Sequence, residues 1–193
     1  MPISRDDFHP QLDRRQIGEL TKLIGELGHF RGHWRKLQEI RAERLVQLRQ
    51  VTTIESTGSS TRIEGAALSD AEVSQVLSGL RIDSFRARDE AEVRGYGELL
   101  TTIFESHAAI PLTENHLKQL HGMLLRYSTR DEWHRGEYKT NPNDVVLKEG
   151  HQIKQVLFET ASPFDTPHLM TELVRATNEA LADSSLDPLV VIA

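Results

Sequence analysis

Apolar residues recur at three- and four-residue steps through most of this chain, a period that fits the face of an α-helix and little else. Leu12, Ile17, Leu20, Leu23, Ile24 and Leu27 form one stripe, which predicts a first amphipathic helix ending at about Gly28. A longer stripe follows through Phe30, Trp34, Leu37, Ile40, Leu45, Leu48, Val51 and Ile54. The Arg, Glu and Gln side chains between those positions suit a solvated outer face. Gly58 and the serines after it interrupt the pattern and predict a fresh helix start.

Downstream, Ser69-Asp70-Ala71-Glu72 reads as a capping box opening a short helix through Val73, Val76 and Leu77, which Gly79 ends. A longer helix is predicted over Arg88 to His107, and Pro111 prevents its continuation. Thr113 caps the next, with Leu117, Leu120, Leu124 and Leu125 at helical spacing, ending near Tyr127. Then the period changes. Gly136-Glu137-Tyr138-Lys139-Thr140 and Val145-Val146-Leu147 are short extended candidates flanking Asn141-Pro142-Asn143-Asp144, so a β-hairpin turning at 141–144 is predicted as the one sheet. Thr166 as cap and Pro167 as first helical residue open another helix through Leu169, Leu173, Val174 and Leu181. Asp187-Pro188 repeats that signal before Leu189-Val190-Val191-Ile192-Ala193, and this uncapped apolar run reads as a core helix cut short.

At 193 residues the chain suits one domain, or one domain with a helical extension. A net charge of −6, with Arg41 and Arg44 interleaved among Glu39 and Glu43, makes nucleic acid an unlikely partner. The chain has no cysteine, so disulfides, thiolate chemistry and Cys-based zinc sites are excluded. No run approaches the ~20 apolar residues of a membrane span, and no signal-peptide core opens the chain, which predicts a cytoplasmic protein. Of the nine histidines, His116 and His121 are five apart, not the four of a helical metal pair, and H-E-x-x-H is absent.

One stretch carries a sharper signal. In Ser59-Ser60-Thr61-Arg62-Ile63-Glu64-Gly65 a hydroxyl and a carboxylate stand four residues apart, on one face of a helix, with glycine following. Thr101 to Glu105 and Ser128 to Glu132 share the spacing but lack the following Gly or Asn. The stretch resembles the inhibitory motif of Fic-domain proteins, and two further features stand in that family's order: the Gly136-Glu137-Tyr138-Lys139 segment and the helix start at Asp187-Pro188-Leu189.

The resemblance implies a mainly α fold, a Fic-like helical bundle with one β-hairpin serving as flap, truncated on its C-terminal side. It divides the chain into an N-terminal helical region over 1–57 and, over 58–193, the inhibitory helix with a partial Fic domain. The family's H-P-F-x-[D/E]-G-N-G-R loop, which carries its catalytic base, metal acid and phosphate-binding groups, does not occur in these residues. No catalytic or metal-binding residue is therefore assigned here. The implied function is the N-terminal part of an autoinhibited protein adenylyltransferase, moving AMP from ATP to a protein hydroxyl, possibly its own, and inactive as it stands. ATP and Mg²⁺ belong to the full-length parent, with neither expected to bind tightly to these residues.

By the same resemblance Glu64 is the inhibitory carboxylate, with Ser60 and Gly65 shaping its helix. Lys139, Thr140, Asn141, Val145, Val146 and Leu147 form the flap that faces nucleotide and target. A homodimer is compatible with the family. The alternative is a non-catalytic interaction module that keeps the scaffold and binds a partner through the hairpin.

Overall fold

The computed structural model describes residues 11–40, 42–79, 87–150, 152–183 and 186–192. Contacts gather the chain into two compact units, Pro10–Leu100 and Thr101–Ala193, with the boundary inside one helix. Each is built from different local signals.

The first unit contains α1 (Arg14–Ile40), α2 (Ala42–Ile63), α3 (Asp70–Leu77) and most of α4 (Ala87–Ser106). The expected end of α1 at Gly28 is corrected, because the helix continues through Gly28 and Gly32 to Ile40. A helical glycine costs only ~1 kcal/mol against alanine, too little to stop a helix with apolar residues on both sides. Gly58 is corrected in the same way: α2 runs unbroken through Gly58, Ser59 and Ser60 to Ile63. Three of its threonine hydroxyls bond inside the helix and start no new one. Thr52 and Thr53 bond carbonyls of the preceding turn, and Thr61 Oγ1 donates to the Thr57 carbonyl at 2.9 Å.

Beyond the loop, the capping box at Ser69 is present as expected. Glu72 N donates to Ser69 Oγ and Ser69 N donates to Glu72 Oε2 at 2.8 Å, which together open α3. The Ser69 hydroxyl, which also donates to Glu72 Oε2 at 2.7 Å, and the Ser69 amide hold the Glu72 carboxyl below its ordinary pKa. The core of this unit is small, with Leu68, Val73, Val76 and Val93 buried together and Ile54 and Leu77 packed on them.

The second unit carries the end of α4, then α5 (Glu114–Leu124), the strands β1 (Val145–Glu149) and β2 (Gln152–Phe158), α6 (Thr166–Ala182) and α7 (Pro188–Val191). Thr113 caps α5 through His116 N, and Asp187 caps α7 through Leu189 N at 2.9 Å, both as predicted. The cap of α6 is displaced. Asp165 holds the N-cap position, Thr166 is already helical, and the Thr166 hydroxyl donates to the Ser162 carbonyl.

The hairpin is also displaced. Val145–Leu147 belong to the first strand, not the second, and Gly136–Thr140 form no strand. The antiparallel partner is Gln152–Phe158, a run whose β signal was overlooked, and the turn includes Gly150 at φ +61°. Asn143 and Asp144 instead brace the hairpin base. Two register shifts, at Val145/Val146 and Leu147/Lys148, add the local twist that bulges bring.

Candidate functional site

The inhibitory-type motif is the C-terminal end of α2. Ala66 N donates to the Thr61 carbonyl at 3.0 Å and Gly65 N to the Arg62 carbonyl at 3.1 Å, the paired bonds of a Schellman cap. Gly65 sits at φ +96°, which explains the glycine at the motif's last position. Glu64 is consequently the last residue before the chain turns. Its side chain is exposed, and among the described residues its carboxylate has no hydrogen-bond or salt-bridge partner. Its backbone is fixed: the Glu64 carbonyl accepts from Arg88 at 3.4 Å, and the buried Asp89 carboxylate accepts from Ala67 N at 3.1 Å.

Ser60 faces α4 and donates to Tyr96 Oη at 3.0 Å, so its hydroxyl ties two helices and caps nothing. Although Ser60 and Glu64 lie one turn apart, the first is engaged within the protein and the second is presented to solvent. Tyr96 could not be foreseen as this partner, because an interhelical hydrogen bond leaves no periodic trace.

The flap candidates separate into two groups. Lys139 Nζ donates to Asn143 Oδ1 at 2.5 Å and Thr160 Oγ1 at 2.7 Å, while Thr160 N donates to Asp144 Oδ1 at 2.8 Å. Lys139 thus closes the hairpin at its base, with Thr140 and Asn141 exposed beside it. Val145 and Leu147 are 51% and 48% exposed, and Val146, pointing to the opposite face, is half-buried. The three side chains therefore do not line one surface.

A polar cluster at the hairpin's approach went unread in the sequence. Glu114, at the start of α5, accepts from Tyr138 Oη at 2.5 Å and from Thr171 Oγ1 of α6 at 2.8 Å. Lys118 Nζ lies 4.3 Å from the Tyr138 ring centre. Burial, with the Glu114 bond and charge, pushes the Tyr138 hydroxyl up to about 12, and the bonds from Tyr138 and Thr171 lower Glu114. Two residues before Tyr138, Gly136 N donates to His121 Nδ1 at 3.1 Å.

That bond requires an unprotonated Nδ1. Burial lowers the His121 pKa, the nearby His134 lowers it further, and Asp131 opposes them. The folded protein favours neutral His121, so its contribution is complete above the unfolded value of about 6.5 and is lost as pH falls through and below it. The urea midpoint of this unit is expected to drop between pH 7.5 and 5. In His121→Gln, whose side-chain oxygen still accepts from Gly136, that part of the pH slope disappears; an unchanged slope would remove His121 as its source.

No three His, Asp or Glu side chains among the described residues converge as a metal site, and no described helix is long and apolar enough to cross a membrane.

Among the described residues, the helices and the one hairpin form a Fic-type fold. The chain is similar, with TM-score 0.71 and 27% identity, to a Fic-domain-containing signalling protein from Bacteroides thetaiotaomicron, over 85% of this chain and 60% of that one. It is also similar in fold to a Fic family protein from Desulfovibrio desulfuricans, with TM-score 0.65, 22% identity, 89% of this chain and 47% of that one. This chain thus spans about half of each solved chain's length, from 47% to 60%. No protein-family model matches it, and neither does any curated protein.

Proposed function

We propose that this chain is the regulatory and target-facing part of a Fic-type protein adenylyltransferase, and that Glu64 restrains AMP transfer from ATP to a protein hydroxyl. The reading is carried by the Glu64 carboxylate, exposed and unpartnered among the described residues on a fixed backbone turn within a Fic-type fold. A helix C-terminus is the negative end of its dipole, where a carboxylate costs about 0.3–1 kcal/mol. An acid placed against that field suits an external cation better than it suits the helix. Held near a guanidinium elsewhere in the full protein, it would neutralise a phosphate site and occupy its donors.

The test is ATP-dependent self-labelling of the full natural protein, comparing wild type with Glu64→Gly. Labelling is expected to rise about tenfold, equivalent to ~1.4 kcal/mol. The thermal midpoint should be unchanged or slightly higher, because the substitution removes an unfavourable dipole contact. Equal labelling of the two proteins removes Glu64 from this role.

A second reading, a non-catalytic interaction module, is favoured by the exposed Val145, Leu147, Ile153 and Phe158 of the hairpin. It predicts no heat of ATP-Mg²⁺ binding in calorimetry of the full protein, whereas the transferase reading predicts binding that strengthens in Glu64→Gly.

A further inference from the structure

The most unusual packing near Glu64 lies one and a half turns earlier. A Cβ on Gly58 would stand 2.8 Å from Arg62 Nη1 and 2.8 Å from Asp70 Oδ1. The glycine therefore leaves room for a guanidinium laid along the helix. From there Arg62 Nη1 donates to the Leu68 carbonyl at 2.9 Å and to Asp70 Oδ1 at 2.9 Å, and Nη2 reaches Ser59 Oγ at 3.4 Å. One side chain thus joins the last turn of α2, the far end of the loop that follows Glu64, and the first residue of α3. Asp89 holds the middle of the same loop through Ala67 N.

Stability alone is a weak reason for this arrangement. Arg62 and Asp70 are 38% and 51% exposed, and an ion pair at such exposure contributes about 0–1 kcal/mol. Gly58 in a helix interior forgoes a similar amount. What the set accomplishes is geometric, since it fixes both sides of the turn that carries the Glu64 carboxylate.

We infer that Gly58, Arg62 and Asp70 form a latch that positions Glu64, and that the latch sets the strength of inhibition; this rests on the inhibitory reading of Glu64 proposed above. These are positioning residues, with no contact to substrate assigned to them. When the latch is closed, the carboxylate is held at one point; when it is open, the loop over 65–69 moves and the carboxylate is spread over many.

The variant that isolates the latch is Gly58→Ala. The added methyl displaces the ends of two flexible side chains, while the helix itself gains propensity, so the fold is retained. In the full natural protein, amide exchange at Ala66 and Ala67 should accelerate, and ATP-dependent self-labelling should rise by about threefold or more. The double variant Gly58→Ala/Glu64→Gly should label like Glu64→Gly alone, because a latch acting only through Glu64 has nothing left to position. Unchanged exchange in Gly58→Ala overturns the latch. So does unchanged labelling where Glu64→Gly is activated, which leaves the inhibitory reading intact, and so does additivity in the double variant. An inert Glu64→Gly overturns the inhibitory reading and the latch with it, even where exchange has changed.

Discussion

Gly136→Ala is expected to destabilise the Thr101–Ala193 unit by about 2–4 kcal/mol, through strain that cannot relax cheaply. Gly136 adopts φ +68°, where a side chain costs roughly 1–2 kcal/mol. An added Cβ would also meet the Lys118 carbonyl oxygen at 2.8 Å and lie 3.8 Å from the Gly122 Cα. These are backbone atoms of α5, so relief requires the Gly136–Tyr138 segment to leave the helix. Its departure would break the Gly136 N bond to His121 and strain the Tyr138 bond to Glu114, each contributing about 1 kcal/mol. Gly150 supplies the control, having φ +61° with open space around its Cα. Gly150→Ala carries the conformational cost without the collision, roughly 1 kcal/mol. Urea midpoints and amide exchange over α5 compare the two; equal losses would mean that the segment is not held against α5.

Such interactions mark the boundary of what the amino-acid order discloses. Caps at Ser69, Thr113 and Asp187 were legible because each is a local exchange between a side chain and a backbone amide two or three residues away. The helical period was legible for a similar reason. Gly28 and Gly58 misled because composition alone does not separate a glycine that ends a helix from one that admits a neighbouring group, as Gly58 admits Arg62. The hairpin slipped by one strand because Asn141–Asp144 carry strong turn residues, of which Asn143 and Asp144 receive Lys139 and Thr160 at the base. Of the candidate site, the position of Glu64 beside a chain-reversing Gly65 was readable. Tyr96, Asp89, Glu114 and His121 were not, because each acts across 15 or more residues of sequence.

Leu68→Ala is the second large effect, expected to cost the Pro10–Leu100 unit about 2–4 kcal/mol. Leu68 is 4% exposed and packs with Val73, Val76 and Val93, a core too small to spread the loss of a leucine side chain. Ile63 is the matched comparison: it lies five residues earlier, just before Glu64, and is 83% exposed. Hydrophobicity alone ranks the two alike, whereas their burial predicts that Ile63→Ala costs no more than about 0.5 kcal/mol. The contrast also bears on regulation, because the Leu68 carbonyl is the acceptor that Arg62 holds. A cavity beneath Leu68 loosens the turn from its core side while Gly58→Ala loosens it from its surface side, so both should speed amide exchange at Ala67. Only Leu68→Ala should lower the thermal midpoint substantially. If Ile63→Ala and Leu68→Ala prove equally costly, the loop after Glu64 is not anchored in this core, and a freely moving loop could not hold a carboxylate against a distant guanidinium.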